Sequence, residues 1–234
     1  MRSILILLAL LLAVPVPAHA QGWLERLNRA MAAANTAMGE GLETVIAAVP
    51  GGNPIPPAWR EAGGNLVLNV VNEPLSELSH ALAGNLEDAG TAMRRFGINL
   101  AEGYGGLRDA ATARGITVPP ADFGLALCAR GVPEGPFIVL PIAGPRTLRD
   151  GVADIVVTSA VIYAALLPFI GPLPGAGTLL LVLVVDEALT LLVARQLDPV
   201  AAGTETAGEP PGFEALRDAY LTQRRQRCEA MAGR

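Results

Sequence analysis

Residues 122–150, DFGLALCARGVPEGPFIVLPIAGPRTLRD, set the tightest constraint on what this chain can fold into. Prolines and glycines recur through it around one short apolar run, Phe137-Ile138-Val139-Leu140. Proline removes a helical donor and glycine costs a helix about 1 kcal/mol, so no long helix crosses this stretch. Its apolar content argues equally against a solvated linker. The sequence predicts a tight, partly buried loop or hairpin with helices packed on both sides. No run of alternating strands appears elsewhere, and the chain reads as mostly α.

Residues 1–20 read as a cleaved secretory signal, with Arg2, an apolar stretch over 4–14 and the small-x-small motif Ala18-His19-Ala20. No cysteine precedes Cys128, so the expectation is export without a lipid anchor. Residues 21–198 then form a helical domain, 199–212 a linker and 213–234 a C-terminal helix. Trp23, Leu24, Leu27, Met31, Ala34 and Met38 recur at helical spacing, in a helix expected to break near Gly39 and Gly41. Glu25 stands four residues before Arg29, the favourable order for a surface pair. A helix over 56–71 is followed by Asn72-Glu73-Pro74, which reads as a restart capped by Asn72. Leu75, Leu78 and Leu82 make one apolar face, and Leu86, Ala89, Met93, Phe96 and Leu100 another, with Arg94 and Arg95 turned elsewhere. A short helix covers 107–114. Beyond Asp150, residues 155–170 are apolar on every side, 171–175 make a turn, and 178–193 are apolar apart from Asp186 and Glu187. A sixteen-residue limb rises about 24 Å against a hydrocarbon layer of about 30 Å. The two limbs therefore read as a hairpin dipping into a membrane or buried against other helices. Arg224, Arg225 and Arg227 near the C-terminus complement a helix dipole or meet phospholipid headgroups.

The chemistry that is missing narrows the function. Outside the leader there is one histidine, His80, so neither a cluster of histidine ligands nor a paired-histidine mechanism is available. All 17 basic residues are arginine, which rules out a phosphate-loop lysine and a Schiff base. A net charge of −5 with no basic run excludes nucleic acid as a partner. Hydrophobic residues make up 51% of the chain, which suggests apolar surface covered by something other than water. Cys128 and Cys228 either form a disulfide or remain buried thiols. This is the profile of a binding or transport protein, not an enzyme, and no cofactor or metal is expected.

Several segments together resemble the MlaA (VacJ) family of Gram-negative outer-membrane proteins. They are ERLNRAM from Glu25, NLVLNVVNEP from Asn65, RFGIN from Arg95 and GGLRDA from Gly105. The most specific lie in the opening stretch: Asp122-Phe123-Gly124, Gly131-Val132, Gly135-Pro136-Phe137, Leu140-Pro141, Gly144-Pro145 and Thr147-Leu148-Arg149-Asp150. The resemblance implies an all-α, ring-shaped bundle of short amphipathic helices with an apolar helical hairpin, embedded in the inner leaflet of the outer membrane. It implies phospholipid as cargo, a trimeric outer-membrane porin as neighbour, and an amphipathic channel leading to a periplasmic carrier similar to MlaC. Gly131, Gly135, Pro136 and Phe137 resemble the family's flexible hairpin beside that channel. Asn28, Arg29, Phe123, Gly124, Pro141, Leu148, Arg149 and Asp150 fit its motifs, with hydrogen bonds or ion pairs expected of Asn28, Arg29, Arg149 and Asp150. Cys128 and Pro133 stand where the family carries glycines, which stiffens the loop. The rival reading is an inner-membrane helical-hairpin protein with a periplasmic interaction domain.

Overall fold

The computed structural model describes residues 18–48, 56–170 and 212–233. Helix α1 (Ala18–Ala48) leads to α2 (Pro57–Leu66), a π-helical segment (Val67–Asn72), α3 (Glu73–Ala83), α4 (Leu86–Ala101), α5 (Ala110–Ala113) and α6 (Phe123–Ala129). Two antiparallel strands follow, β1 (Phe137–Leu140) and β2 (Gly144–Thr147), with Phe137 opposite Thr147 and Leu140 opposite Gly144. Then come α7 (Leu148–Val152), a second π-helical segment (Ala153–Thr158), α8 (Ser159–Ile170) and α9 (Phe213–Ala232). The molecule is helix-dominated, and the hairpin anticipated within 122–150 is a small sheet flanked by α6 and α7. The second apolar limb, its turn, the 199–211 linker and most of the signal segment lie outside the described residues.

Phe123, Leu127, Val132 and Ala153 form the core, with Leu75, Leu82, Leu148, Val157 and Val161 packed on it. The 122–150 stretch thus supplies most of the core itself. Helix α6 packs against α3, α7 and α9, and α1 lies along the hairpin.

Local expectations are corrected in four places. Helix α1 does not break at Gly39 or Gly41, because two glycines each weaken a helix without terminating it. Asn72 is no cap: it has helical dihedrals and no side-chain cap bond, and the chain runs on from α2 into α3. Pro74 lacks the N–H that would bond one turn back, and the π segment accommodates this, the Glu73 amide reaching Leu68 O. Helix α4 is rotated relative to its expected face, although Ala89 is buried and Phe96 partly buried as that face required. It buries Ala89, Ala92, Arg95 and Asn99, while Leu86 is 73% exposed and Met93 and Leu100 also face outward. Arg95 therefore points inward: its guanidinium bonds Glu73 Oε1 (2.5 Å), Asp109 Oδ2 (3.0 Å), Thr112 Oγ1 (3.0 Å) and Ile116 O. Among the described residues, no helix is long and apolar enough to cross a membrane.

Candidate functional site

Asp122 begins the site by capping α6, accepting from the Leu125 amide at 2.8 Å. The same carboxylate takes a two-pronged bond from Arg224 of α9, at 2.6 and 2.9 Å. Arg224 also donates from Nε to Asp150 Oδ2 at 2.9 Å, and Tyr220 Oη donates to that oxygen at 3.0 Å. On its other side Asp150 holds its neighbour Arg149, whose Nη1 reaches Val132 O at 3.2 Å. Asp150 is fully buried and Arg149 and Arg224 nearly so. Such charges are tolerable only when each finds its partner. Gly124 makes the approach possible, because a Cβ there would lie 2.5 Å from Asp150 Oδ1. Burial raises the Asp122 pKa, but the Arg224 bonds and charge outweigh that and hold the carboxyl below its usual range. Burial and the Asp150 charge push the Tyr220 phenol far up. Arg224 loses some affinity for its proton to burial, but Asp122 and Asp150 return more than is lost, and it stays charged.

A disulfide between Cys128 and Cys228 ties α6 to α9 a second time, with Cα atoms 5.9 Å apart. A third tie joins Asn85 Nδ2, in the α3–α4 turn, to Met231 O at 3.0 Å. Arg224 is therefore neither a dipole complement nor a free headgroup ligand. Arg224 is the buried link, and Arg225 bonds Glu134 at 2.6 Å.

The loop carrying Gly131, Gly135 and Pro136 sits directly above this clamp. The Gly131 and Val132 amides close α6 by bonding Cys128 O and Leu127 O. On the far flank, Leu148 N donates to Pro136 O and Arg149 N to Glu134 O, at 2.9 and 3.1 Å. Gly131 and Gly135 have φ of 82° and 68°, values an L side chain rarely adopts. Phe137, next in line, makes edge contacts with Phe213 and Tyr220 of α9, each at 6.1 Å.

Helix α1 grips the hairpin from its open edge. Asn28 Nδ2 donates to Phe137 O and its Oδ1 accepts from Val139 N, both at 2.8 Å. Asn35, two turns on, does the same for Leu140 O and Ile142 N, both at 2.9 Å. Two side-chain amides thus stand in for a third strand. Arg29 bonds Glu25 (2.7 Å) and Glu214, and lies 4.7 Å over the Phe213 ring, joining α1 to α9. Pro141 lies exposed at the hairpin tip, and Phe123 and Leu148 belong to the core.

A second polar knot explains the other motif segments. Asn99 Nδ2 donates to Asn69 Oδ1 (2.8 Å) and Asn99 Oδ1 accepts from Ala111 N (2.9 Å). Asn69 Nδ2 in turn donates to Gly106 O at 2.9 Å. His80 is buried with Nε2 3.0 Å from Pro119 O, beside a small cavity lined by Pro120, Leu125, Arg227 and Met231. Among the described residues, no three His, Cys, Asp or Glu side chains gather to hold a metal.

Sequence reasoning missed Asn35, Asp122 as a clamp, Tyr220, Arg224 and the inward Arg95. The findable signal was Asn28 and Asn35, seven residues apart and so on one face of α1. Buried arginines paired across 74 to 102 residues left none.

Polar clamps inside, large apolar side chains outside and buried carboxylates paired with arginines define a helix-dominated scaffold. The chain belongs to the MlaA lipoprotein family, whose model matches residues 22–227. Its structure is similar to one solved in work on maintenance of bacterial outer-membrane lipid asymmetry. That likeness has a TM-score of 0.60 at 25% identity, covering 88% of this chain and 98% of the other. Uncharacterised proteins of Rickettsia conorii and Rickettsia felis are each 36% identical over 95 residues, and one of Rickettsia bellii is 34% identical over 92. The matched stretch is 41% of this chain for the first two, and this chain spans 38% of their length. For the Rickettsia bellii protein the shares are 39% and 36%.

Proposed function

We propose that the protein is an outer-membrane phospholipid-transport component. Seated on the periplasmic side, it takes phospholipids that have strayed into the outer leaflet and passes them through an amphipathic channel to an MlaC-like periplasmic carrier. A trimeric porin stands beside it, and the helices form a ring embedded in the inner leaflet of the outer membrane. The chain reaches that place by a cleaved signal peptide and is held there by its own apolar surface.

The outward apolar side chains of α4 carry this reading. A helix on a protein surface in water turns its leucines inward, whereas this one buries Ala89, Ala92, Arg95 and Asn99 and offers Leu86, Met93 and Leu100 outward. Trp59 is exposed as well, at 74%. Such a surface suits a molecule whose surroundings are acyl chains. Moving lipid tails through protein avoids exposing them to water, a cost of about 0.8 kcal/mol per CH₂. Family membership and the structural likeness support the choice of lipid as cargo.

In this scheme the loop through Gly131, Gly135 and Pro136 to Phe137 borders the channel and gates it. Both of its flanks are hydrogen-bonded to the clamp, so its freedom is confined to the segment between them. Nothing in the scheme requires a chemical step.

The test is separation of inner and outer membranes, purification in mild detergent, lipid extraction and identification of co-purifying proteins. Recovery from the outer membrane with phospholipid and a porin is the expected result. Recovery from the inner membrane, free of phospholipid, would overturn the proposal.

A further inference from the structure

The β1–β2 hairpin turns through Pro141-Ile142-Ala143, between the paired residues Leu140 and Gly144. The Ala143 amide donates to Pro141 O at 2.7 Å, and Ile142 between them has φ of 67°. A bond two residues back around a positive φ is the rare, strained form of the γ-turn. A β-branched residue is an outlier in that region, where glycine or asparagine sits at far less cost. Asn35 holds Ile142 there by bonding Leu140 O and Ile142 N on either side of Pro141.

The strained residue also leaves apolar surface open to solvent. Ile142 is 38% exposed, and Pro141 beside it is exposed as well. Met38, one helical turn beyond Asn35 on the same face of α1, is 49% exposed. In water this tip is unfavourable twice, through its backbone and through its exposed apolar side chains. An apolar surrounding removes the second cost.

We propose that Ile142 contacts lipid: Asn35 is the positioning residue that latches the turn, and the isoleucine side chain enters the acyl layer of a phospholipid bilayer. The inference rests on the membrane seat proposed above. Leu140, Pro141, Ile142 and Ala143 carry no charge, and the Asn35 amide is engaged on both sides by the turn, so the tip suits acyl chains, not headgroups. A tip of three residues is also far below the roughly 800 Å² per partner of a stable protein interface.

The experiment uses Ile142→Cys labelled with a nitrobenzoxadiazole fluorophore. The paired native cysteines leave the introduced thiol as the labelling site. Vesicles of phosphatidylethanolamine and phosphatidylglycerol are the probe. Emission is expected to shift to the blue on vesicles, and Ile142→Asp to lower vesicle partitioning by about tenfold. Asparagine tolerates positive φ, so Ile142→Asn should keep or raise the melting temperature while partitioning falls. Asn35→Ala should lose the blue shift while helix content is retained, an outcome a purely structural role would not give. Unshifted emission with wild-type protein still bound to the vesicles overturns this inference and leaves the proposed function standing. Wild-type protein that binds no vesicles overturns both. Disulfide-linked dimers through the introduced thiol would assign the tip to a second copy and overturn it too.

Discussion

Arg224 balances two carboxylates from two different elements, so its removal takes a partner from each. Arg224→Ala should lower the unfolding free energy by about 3–5 kcal/mol, measured by denaturant titration in detergent, because a buried Asp150 loses one of its two guanidinium partners. Acid acts on the same link through Asp122. Its carboxyl titrates lower when folded than unfolded, so its stabilisation is complete above the unfolded value near 4 and drains away as pH falls through the folded value. Wild-type melting temperature should therefore drop below about pH 4 more steeply than that of Asp122→Asn. A parallel slope for the two would remove Asp122 from the account. Gly124→Ala should cost about 1–3 kcal/mol, since its Cβ would press on Asp150 Oδ1. At this scale the sequence was half legible. Arg149-Asp150 and Asp122-Phe123-Gly124 stood out as motifs, but their partner Arg224 lies 74 residues beyond Asp150 and looked like an ordinary last-turn arginine.

Among the elements, the hairpin depends on a helix to complete it. β1 has β2 on one edge and the Asn28 and Asn35 side chains on the other, which also keeps that edge from pairing with foreign strands. Asn28→Ala would leave the buried Val139 amide without its acceptor, at about 1–3 kcal/mol, and hydrogen exchange at Val139 should quicken by tenfold or more. Unchanged exchange there would mean the strand does not need the helix. Helix positions were readable from spacing of apolar residues, but which face turned inward was not. Periodicity reports that a helix is two-sided; it does not say whether water or lipid lies on the apolar side. Of the apolar face read from spacing, Leu86, Met93 and Leu100 are exposed, while Ala89 is buried together with Ala92, Arg95 and Asn99. The first π segment escaped because it arises from Pro74, not from any repeat in the residues.

For the whole molecule, ties that converge on α9 include the Asp122–Arg224–Asp150 link, the Asn85–Met231 bond and the Cys128–Cys228 disulfide. The disulfide spans 100 residues, and in the chain-entropy model a loop of that size is worth up to about 4.7 kcal/mol. Cys128→Ser with Cys228→Ser should lower the melting temperature by several degrees, and reductant should then have no further effect on that variant. The two thiols were visible in the sequence, but their pairing followed only from the fold that brings α6 and α9 together.

The bridge has a consequence for how the molecule is made and how it fails. With two cysteines there is a single way to pair them within one chain, so oxidation offers no scrambled isomers to sort. A cysteine made a hundred residues before its mate waits unprotected, and the competing product is a crosslink to another copy. Once closed, the polypeptide from 128 to 228 is a covalent hoop, and a single protease cut inside it leaves the last helix attached to the body.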